Sequence, residues 1–267
     1  MAKLLLAVGI LIAVILVAML DAQYPIHDTP NASYLRPPRY IDNGFAFCTL
    51  AFTRDRTEAA GSGWSTDYPG AGHNFMLRLP EITTLRVNEQ GGEPRQWVVP
   101  ASSDALFGCP FLLISDGGTM NLSPSEAARL RRYLEKGGFL WWDDSWGSEA
   151  WSQVLREIAK IAPDWTIHTP SPDHHIFGLY TRIEAVRQVA NVGFWSVGGQ
   201  TSERGDDSPE TPLRVLLDDR DQVVAVITHN TDIADTWEQE GLPNFFDEFA
   251  LDGYGLGANV LIYTMTH

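Results

Sequence analysis

Gly137-Gly138-Phe139-Leu140-Trp141-Trp142-Asp143-Asp144-Ser145-Trp146-Gly147 is the stretch on which the fold turns. It reads as a buried β-strand over residues 139–142 that ends abruptly in two acidic residues and a turn. Just before it lies the best-signalled helix of the chain. Ser123 is its N-cap, Pro124 takes the first helical position, Glu126 completes a capping box, and Gly137 ends it. Ala127, Leu130 and Leu134 form its apolar face. Further upstream, Phe111-Leu112-Leu113-Ile114 is a second buried strand that stops at Ser115-Asp116-Gly117-Gly118. Downstream, residues 149–161 place Trp151, Val154, Leu155 and Ile158 on one helical face. Strand, helix, strand, helix predicts a parallel sheet with helices on its faces, an α/β three-layer sandwich. Ligands of such sheets bind outside the carboxyl ends of the strands. Asp143 and Asp144 therefore stand where a nucleophile or a ligand-binding group would stand.

The remaining elements fit around this unit. Residues 44–52, aromatic and bounded by Gly44 and Arg54, read as the first strand, and residues 73–82 as a short helix. Brief strands are expected at 85–87, 96–99 and 165–167, and a hairpin at 213–217 and 222–227 around residues 218–221. Residues 170–177 form a loop carrying His174 and His175, and the Gly-rich stretch 193–207 reads as exposed. The apolar segment 245–265 ends as a helix, and Gly253, Gly255 and Gly257 weaken the helical pattern in its first half.

Polar residues collect at the strand ends. The first strand leads toward Asp67 and Tyr68, the second toward Ser115 and Asp116, the third into Asp143 and Asp144, and the last toward His229 and Asp232. In a mostly parallel sheet several of these ends meet at one rim, which predicts an acidic crevice lined by aromatic groups. Each position taken singly also suits an ordinary turn residue. Three chemistries are open to such a rim. Ser145 sits at a strand–turn junction, but the Gly-x-Ser-x-Gly elbow is missing and Trp146 crowds the turn. His174, His175, His229, Asp116, Asp143 and Asp144 are metal-ligand types, yet no two of these histidines have helical ligand spacing. Asp116 and Asp143 could face each other across a sugar, as glycosidase carboxylates do, although the tryptophans read better as core residues. No metal or cofactor is assigned.

Composition narrows the partners. The chain has 267 residues, 44% of them hydrophobic, which suits one globular domain with a small appendage. A net charge of −15 argues against a nucleic-acid backbone or an anionic membrane surface as partner. Residues 4–20 are an unbroken apolar run preceded by Lys3 and followed by Asp21. This run of 17 lies between the roughly 7–15 residues of a signal peptide's apolar region and the roughly 20 of a membrane span. Leu20-Asp21-Ala22 makes a poor cleavage site, so an uncleaved anchor is favoured, with cleavage after Ala22 as its rival. Either way the sequence predicts an N-terminal apolar helix over residues 1–22, a Pro-rich linker over 23–43, and an α/β domain over 44–267 outside the cytoplasm. Cys48 and Cys109 lie in or beside apolar runs; an exported domain could pair them, but plain core thiols are the expectation.

A set of motifs in order resembles the domain of unknown function 4159 family. They are Trp64, Asp67-Tyr68-Pro69 and Asn74-Phe75; then Leu122-Ser123, Glu126, Leu130, Tyr133-Leu134, Gly137-Gly138-Phe139-Leu140 and Asp143-Asp144. His175-Ile176-Phe177, Asn230, Asp232, Trp237, Leu256-Gly257-Ala258-Asn259-Val260 and Tyr263 follow. The resemblance spans residues 44–266 and implies a flavodoxin-like sheet similar to that of class I glutamine amidotransferases, in bacterial, exported or membrane-linked proteins of unestablished activity. The amidotransferase nucleophile is a Cys after the central strand. Here Asp143-Asp144-Ser145 occupies that position, so glutaminase chemistry is not expected. The expectation is a non-catalytic binding or scaffold module of the cell envelope, held at the membrane through residues 4–20. It would take a protein partner or small ligand at Asp67, Tyr68, Asp116, Asp143, Asp144, His175, His229 and Asp232. The alternative is a hydrolase that uses the strand-end carboxylates, with or without a cation.

Overall fold

The computed structural model describes residues 44–267. The expected anchor and the Pro-rich linker lie outside the described residues. Among the described residues no helix is long and apolar enough to cross a membrane.

The chain runs β1 (Cys48–Ala51), α1 (Gly70–Ile82), β2 (Glu89–Gln90), β3 (Glu93–Pro94), β4 (Trp97–Pro100), β5 (Phe111–Ile114), α2 (Pro124–Glu135), β6 (Phe139–Ser145), α3 (Gly147–Ile161), β7 (Thr166–His168), β8 (Leu213–Leu217), β9 (Val223–His229) and α4 (Pro243–Thr266). Single helical turns at Val192–Trp195 and Asp235–Glu238 lie in the later connections. Seven strands form one sheet in the order β4-β1-β5-β6-β9-β8-β7. The first five are parallel, β8 runs antiparallel to β9, and β7 runs antiparallel to β8. Counting only the parallel strands, the second lies outside the first and the others follow in sequence. That is the flavodoxin-like order, whose winding reverses between β1 and β5.

Alternation along the strands divides the core into two layers. Cys48, Leu50, Leu112, Ile114, Leu140 and Trp142 pack with Ala127, Leu130, Val154 and Ile158 of α2 and α3. Phe111, Leu113, Phe139, Trp141 and Val226 pack on the other face with Phe75, Met76, Leu256 and Val260 of α1 and α4. The capping box opens α2 as expected: the Ser123 hydroxyl accepts the Glu126 N–H, and the Glu126 carboxylate accepts the Ser123 N–H. Gly137, at φ 89°, turns the chain out of that helix in a conformation that a side chain would strain.

Three expectations are corrected. β6 does not stop at Trp142 but continues through the acidic pair to Ser145. Its register with β9 shifts between Trp142 and Ser145, and Asp144 adopts φ 53°, so the acidic pair sits in a bulge. Cys48 and Cys109 are not free thiols; they form a disulfide. Their separation of 61 residues conceals the fact that β1 and β5 are neighbours in the sheet. Finally, α4 is continuous, because its glycines are contact points. A Cβ at Gly253 would lie 1.9 Å from Thr236 Oγ1, and one at Gly257 would lie 2.5 Å from the Phe75 ring and 2.8 Å from Trp237. Gly257→Ala is expected to destabilise the protein by about 1–3 kcal/mol through overpacking, despite the better helix propensity of Ala. Urea unfolding that showed a gain in stability would refute this packing role.

Candidate functional site

The carboxyl ends of β1, β5, β6 and β9 carry a set of buried acids, each fixed by local bonds. At the bulge in β6, Asp143 accepts the Thr228 hydroxyl on one oxygen and the Ala234 N–H, at 2.9 Å, on the other. Next to it, Asp144 accepts the Trp146 indole N–H at 2.8 Å. In the loop after β1, Asp67 accepts the Ser115 hydroxyl at 2.9 Å. After β5, Asp116 accepts the Gly63 N–H at 2.7 Å, and its other oxygen is buried with no partner among the described residues. A Cβ at Gly61 would fall 2.5 Å from the Asp116 carboxylate, so glycine permits this approach. Beyond β9, Asp232 accepts the Asp235 N–H at 2.9 Å, and Asp235 accepts the Val192 N–H at 3.0 Å.

These acids converge. Asp67, Asp232 and Asp235 each place one carboxylate oxygen within 4.8 Å of the others. Asp144 and Asp232 line a narrow cleft with Glu58, Gly61, Thr66, Trp146, Asn191 and Glu203. The second oxygens of Asp67, Asp144 and Asp232 accept no hydrogen bond from the described residues, although the three residues are only 7%, 7% and 1% exposed. At one wall of the cleft, Arg56 and Arg204 both grip the Glu58 carboxylate.

Electrostatics follow from burial. Loss of solvent is the main force pushing Asp116 and Asp143 up to about 7 and Asp235 up to about 8. Burial also drives Asp67, Asp144 and Asp232 well above the usual carboxylate range, and repulsion from neighbouring acids adds to it. For Asp144 those neighbours are Asp67, Asp116, Glu203 and Asp143; for Asp232 they are Asp67, Asp144, Asp235 and Asp143. The charges acting on these two groups are thus other carboxylates rather than cations.

Of the residues singled out in the sequence, Asp67, Asp116, Asp143, Asp144 and Asp232 come together at this edge. Tyr68 is half-buried and packs on the Trp64 ring, with centroids 5.9 Å apart. His229 is engaged elsewhere: its ring stacks on Trp151 at 5.0 Å, Nε2 meets the Gly147 carbonyl at 3.1 Å, and Nδ1 faces Arg214. His175 lies toward the other end of the sheet. Its ring is 6.2 Å from His267, which stacks on Tyr263, and Tyr263 packs against Phe139, the first residue of β6. Ser145 is fully buried, and its hydroxyl meets no partner among the described residues. Asp235, Glu203 and Glu58 join the cluster without having been singled out. Asp235 follows Asp232 by three residues in one tight turn, a spacing that offered a signal. Glu203 falls in the stretch expected to be exposed, yet it is half-buried, accepts the Asn191 N–H at 2.9 Å, and is pushed up by burial to about 7.

The chain belongs to the family described as domain of unknown function (DUF4159), whose model matches residues 51–265. No curated protein matches the chain.

Proposed function

We propose that this domain is a non-catalytic binding module of the bacterial cell envelope, and that the carboxyl edge of its sheet takes up a small cationic ligand. One observation carries the reading: Asp67, Asp144 and Asp232 are buried, yet each keeps an oxygen that no described residue satisfies. A buried ionised carboxylate without a countercharge costs several kcal/mol, and a bound cation would offset that cost. Size supports a small ligand. Asp67, Asp232 and Asp235 each bring one carboxylate oxygen within 4.8 Å of the others, a span that a single small cation bridges. A location outside the cytoplasm is supported by the Cys48–Cys109 disulfide and by the apolar run at residues 4–20. The amidotransferase-like relationship stays part of this proposal. The flavodoxin-like strand order supports it, and both cysteines are committed to the disulfide, which leaves no thiol for glutaminase chemistry.

The convergence of carboxylates also favours a second reading, a hydrolase that uses them together with the cation. Thermal unfolding of the full chain against sodium, magnesium, calcium and spermidine, with wild type and Asp232→Asn compared, tests the binding reading. Wild type is expected to be stabilised by at least one of these cations and Asp232→Asn by none, because the amide keeps the Asp235 N–H bond but lacks the charge. If no cation stabilises the wild type, the binding reading fails. Turnover of an ester or phosphoester that Asp143→Ala abolishes would replace it with the hydrolase.

A further inference from the structure

The cationic ligand can be identified further, on the premise that the carboxyl edge is a cation site. We propose that Asp67, Asp232 and Asp235, with Asp144 beside them, hold one hard divalent cation, and that calcium fits the site best.

Ligand chemistry sets the class of ion. Every candidate donor is a carboxylate oxygen, and oxygen-only sites suit magnesium, calcium and manganese, whereas zinc and copper favour imidazole or thiolate. His229, the nearest histidine in sequence, is occupied by Trp151, Gly147 and Arg214, and both cysteines are in the disulfide. The number of donors selects within the class. Three carboxylates bring one oxygen each within 4.8 Å of the others. Magnesium is usually held by one or two carboxylates and keeps several waters, whereas calcium takes roughly 6–8 oxygens, so a set of three or four carboxylates suits the larger ion.

The burial of the donors is a second, independent observation. Asp67, Asp144 and Asp232 are each more than nine-tenths buried, and each keeps one oxygen that accepts no hydrogen bond from the described residues, the atom a cation would satisfy. Both oxygens of Asp235 already accept hydrogen bonds, from the Val192 N–H at 3.0 Å and the Gln239 amide at 3.4 Å. A carboxylate oxygen offers more than one lone pair, so these bonds orient Asp235 without excluding it as a ligand. An ion here would tie the loop after β1, the bulge of β6 and the turn after β9 into one unit. The acids come from three separate elements that only the sheet brings together.

The rival account is a cluster of neutral acids bonded to one another and needing no ion. Isothermal titration of the chelator-treated full chain with calcium, magnesium and manganese at neutral pH separates the two. One calcium per chain is expected, bound more tightly than magnesium, with Asp67→Asn and Asp232→Asn each weakening it by more than about tenfold. The exposed control Asp104→Asn should leave binding unchanged. Terbium, which has a similar radius and oxygen preference, should show emission sensitised by Trp146 in the wild type and lose it as calcium is added, a readout that needs no variant. Spermidine or sodium stabilising the wild type while no divalent ion binds would overturn this inference and leave the binding reading standing. If no cation of any kind binds, both fall. Calcium binding that survives both Asn variants would place the ion elsewhere and overturn the assignment.

Discussion

Removing the Cys48–Cys109 bridge is expected to destabilise the folded protein by about 4 kcal/mol, the loop-entropy value for a cross-link closing some 60 residues. The sulfurs are buried, with Cys48 0% and Cys109 3% exposed, so Cys48→Ala with Cys109→Ala also leaves a small void that adds to the loss. The bridge joins β1 to the residues leading into β5, the two strands between which the winding of the sheet reverses. The loop of the buried Asp67 leaves β1, and Ser115 and Asp116 follow β5, so loosening this pair loosens the acidic edge. In a domain of this size about 4 kcal/mol corresponds to a fall in Tm of roughly 8–16 °C. Urea unfolding of the double variant beside the wild type checks it. A loss under about 1 kcal/mol would mean that the bridge constrains the unfolded chain little.

What the sequence disclosed was local; what it concealed was set by tertiary contact. The start and stop of α2 were legible because Ser123, Pro124, Glu126 and Gly137 each act within one turn of the backbone. Two-sided burial of β5 and β6 was legible because Phe111-Leu112-Leu113-Ile114 and Phe139-Leu140-Trp141-Trp142 are unbroken apolar runs. The disulfide was hidden because nothing near Cys48 or Cys109 records that β5 lies beside β1. The continuity of α4 was hidden for a similar reason. Gly253 and Gly257 read as helix-weakening residues until Thr236, Phe75 and Trp237 are seen pressed against them.

The candidate site divides along the same line. Asp67, Asp116, Asp143, Asp144 and Asp232 are legible because they follow strand ends, and a parallel sheet gathers those ends at a single rim. His175 and His229 satisfied a residue-type criterion only, since sequence does not report which way a ring turns. Trp151 stacks on the His229 ring, and Arg214 in turn lies 4.1 Å over the Trp151 ring. Asp235 was within reach, because a carboxylate three residues after Asp232 shares its turn. Glu203 was not, because its burial depends on contacts from Asn191 and from elements far along the chain.

Metal-free protein is expected to lose stability as the pH rises from 5 to 8, the reverse of the usual behaviour of a carboxylate held by ion pairs. The sign follows from burial. Asp116 and Asp143 are raised from 3.8 to about 7 in the folded state, and Asp235 to about 8. A group raised on folding contributes stability in full below its unfolded value, and that contribution is lost as the pH climbs through the folded value. A single carboxyl moved from 3.8 to about 7 accounts for roughly 4 kcal/mol by this linkage. Asp67, Asp144 and Asp232 act in the same direction. His174 and His229 oppose them: burial lowers both, so the cost of charging them in the folded state lifts as the pH rises toward 6.5. Glu203, raised to about 7, acts with the aspartates, so two histidines face seven carboxylates and the net slope is downward. Asp104, Asp164 and Asp207 are lowered instead, by hydrogen bonds from Arg129, Arg131 and Ser148 respectively, and they act below pH 4, outside the window. Denaturant unfolding with chelator present at pH 5, 6, 7 and 8 measures the slope. Asp143→Asn should flatten it, because the amide oxygen can still accept the Ala234 N–H and the amide NH₂ can donate to the Thr228 hydroxyl while nothing remains to ionise. A stability that rises from pH 5 to pH 8 would show that these carboxylates are ionised and compensated in the free protein, by partners other than the residues described around them.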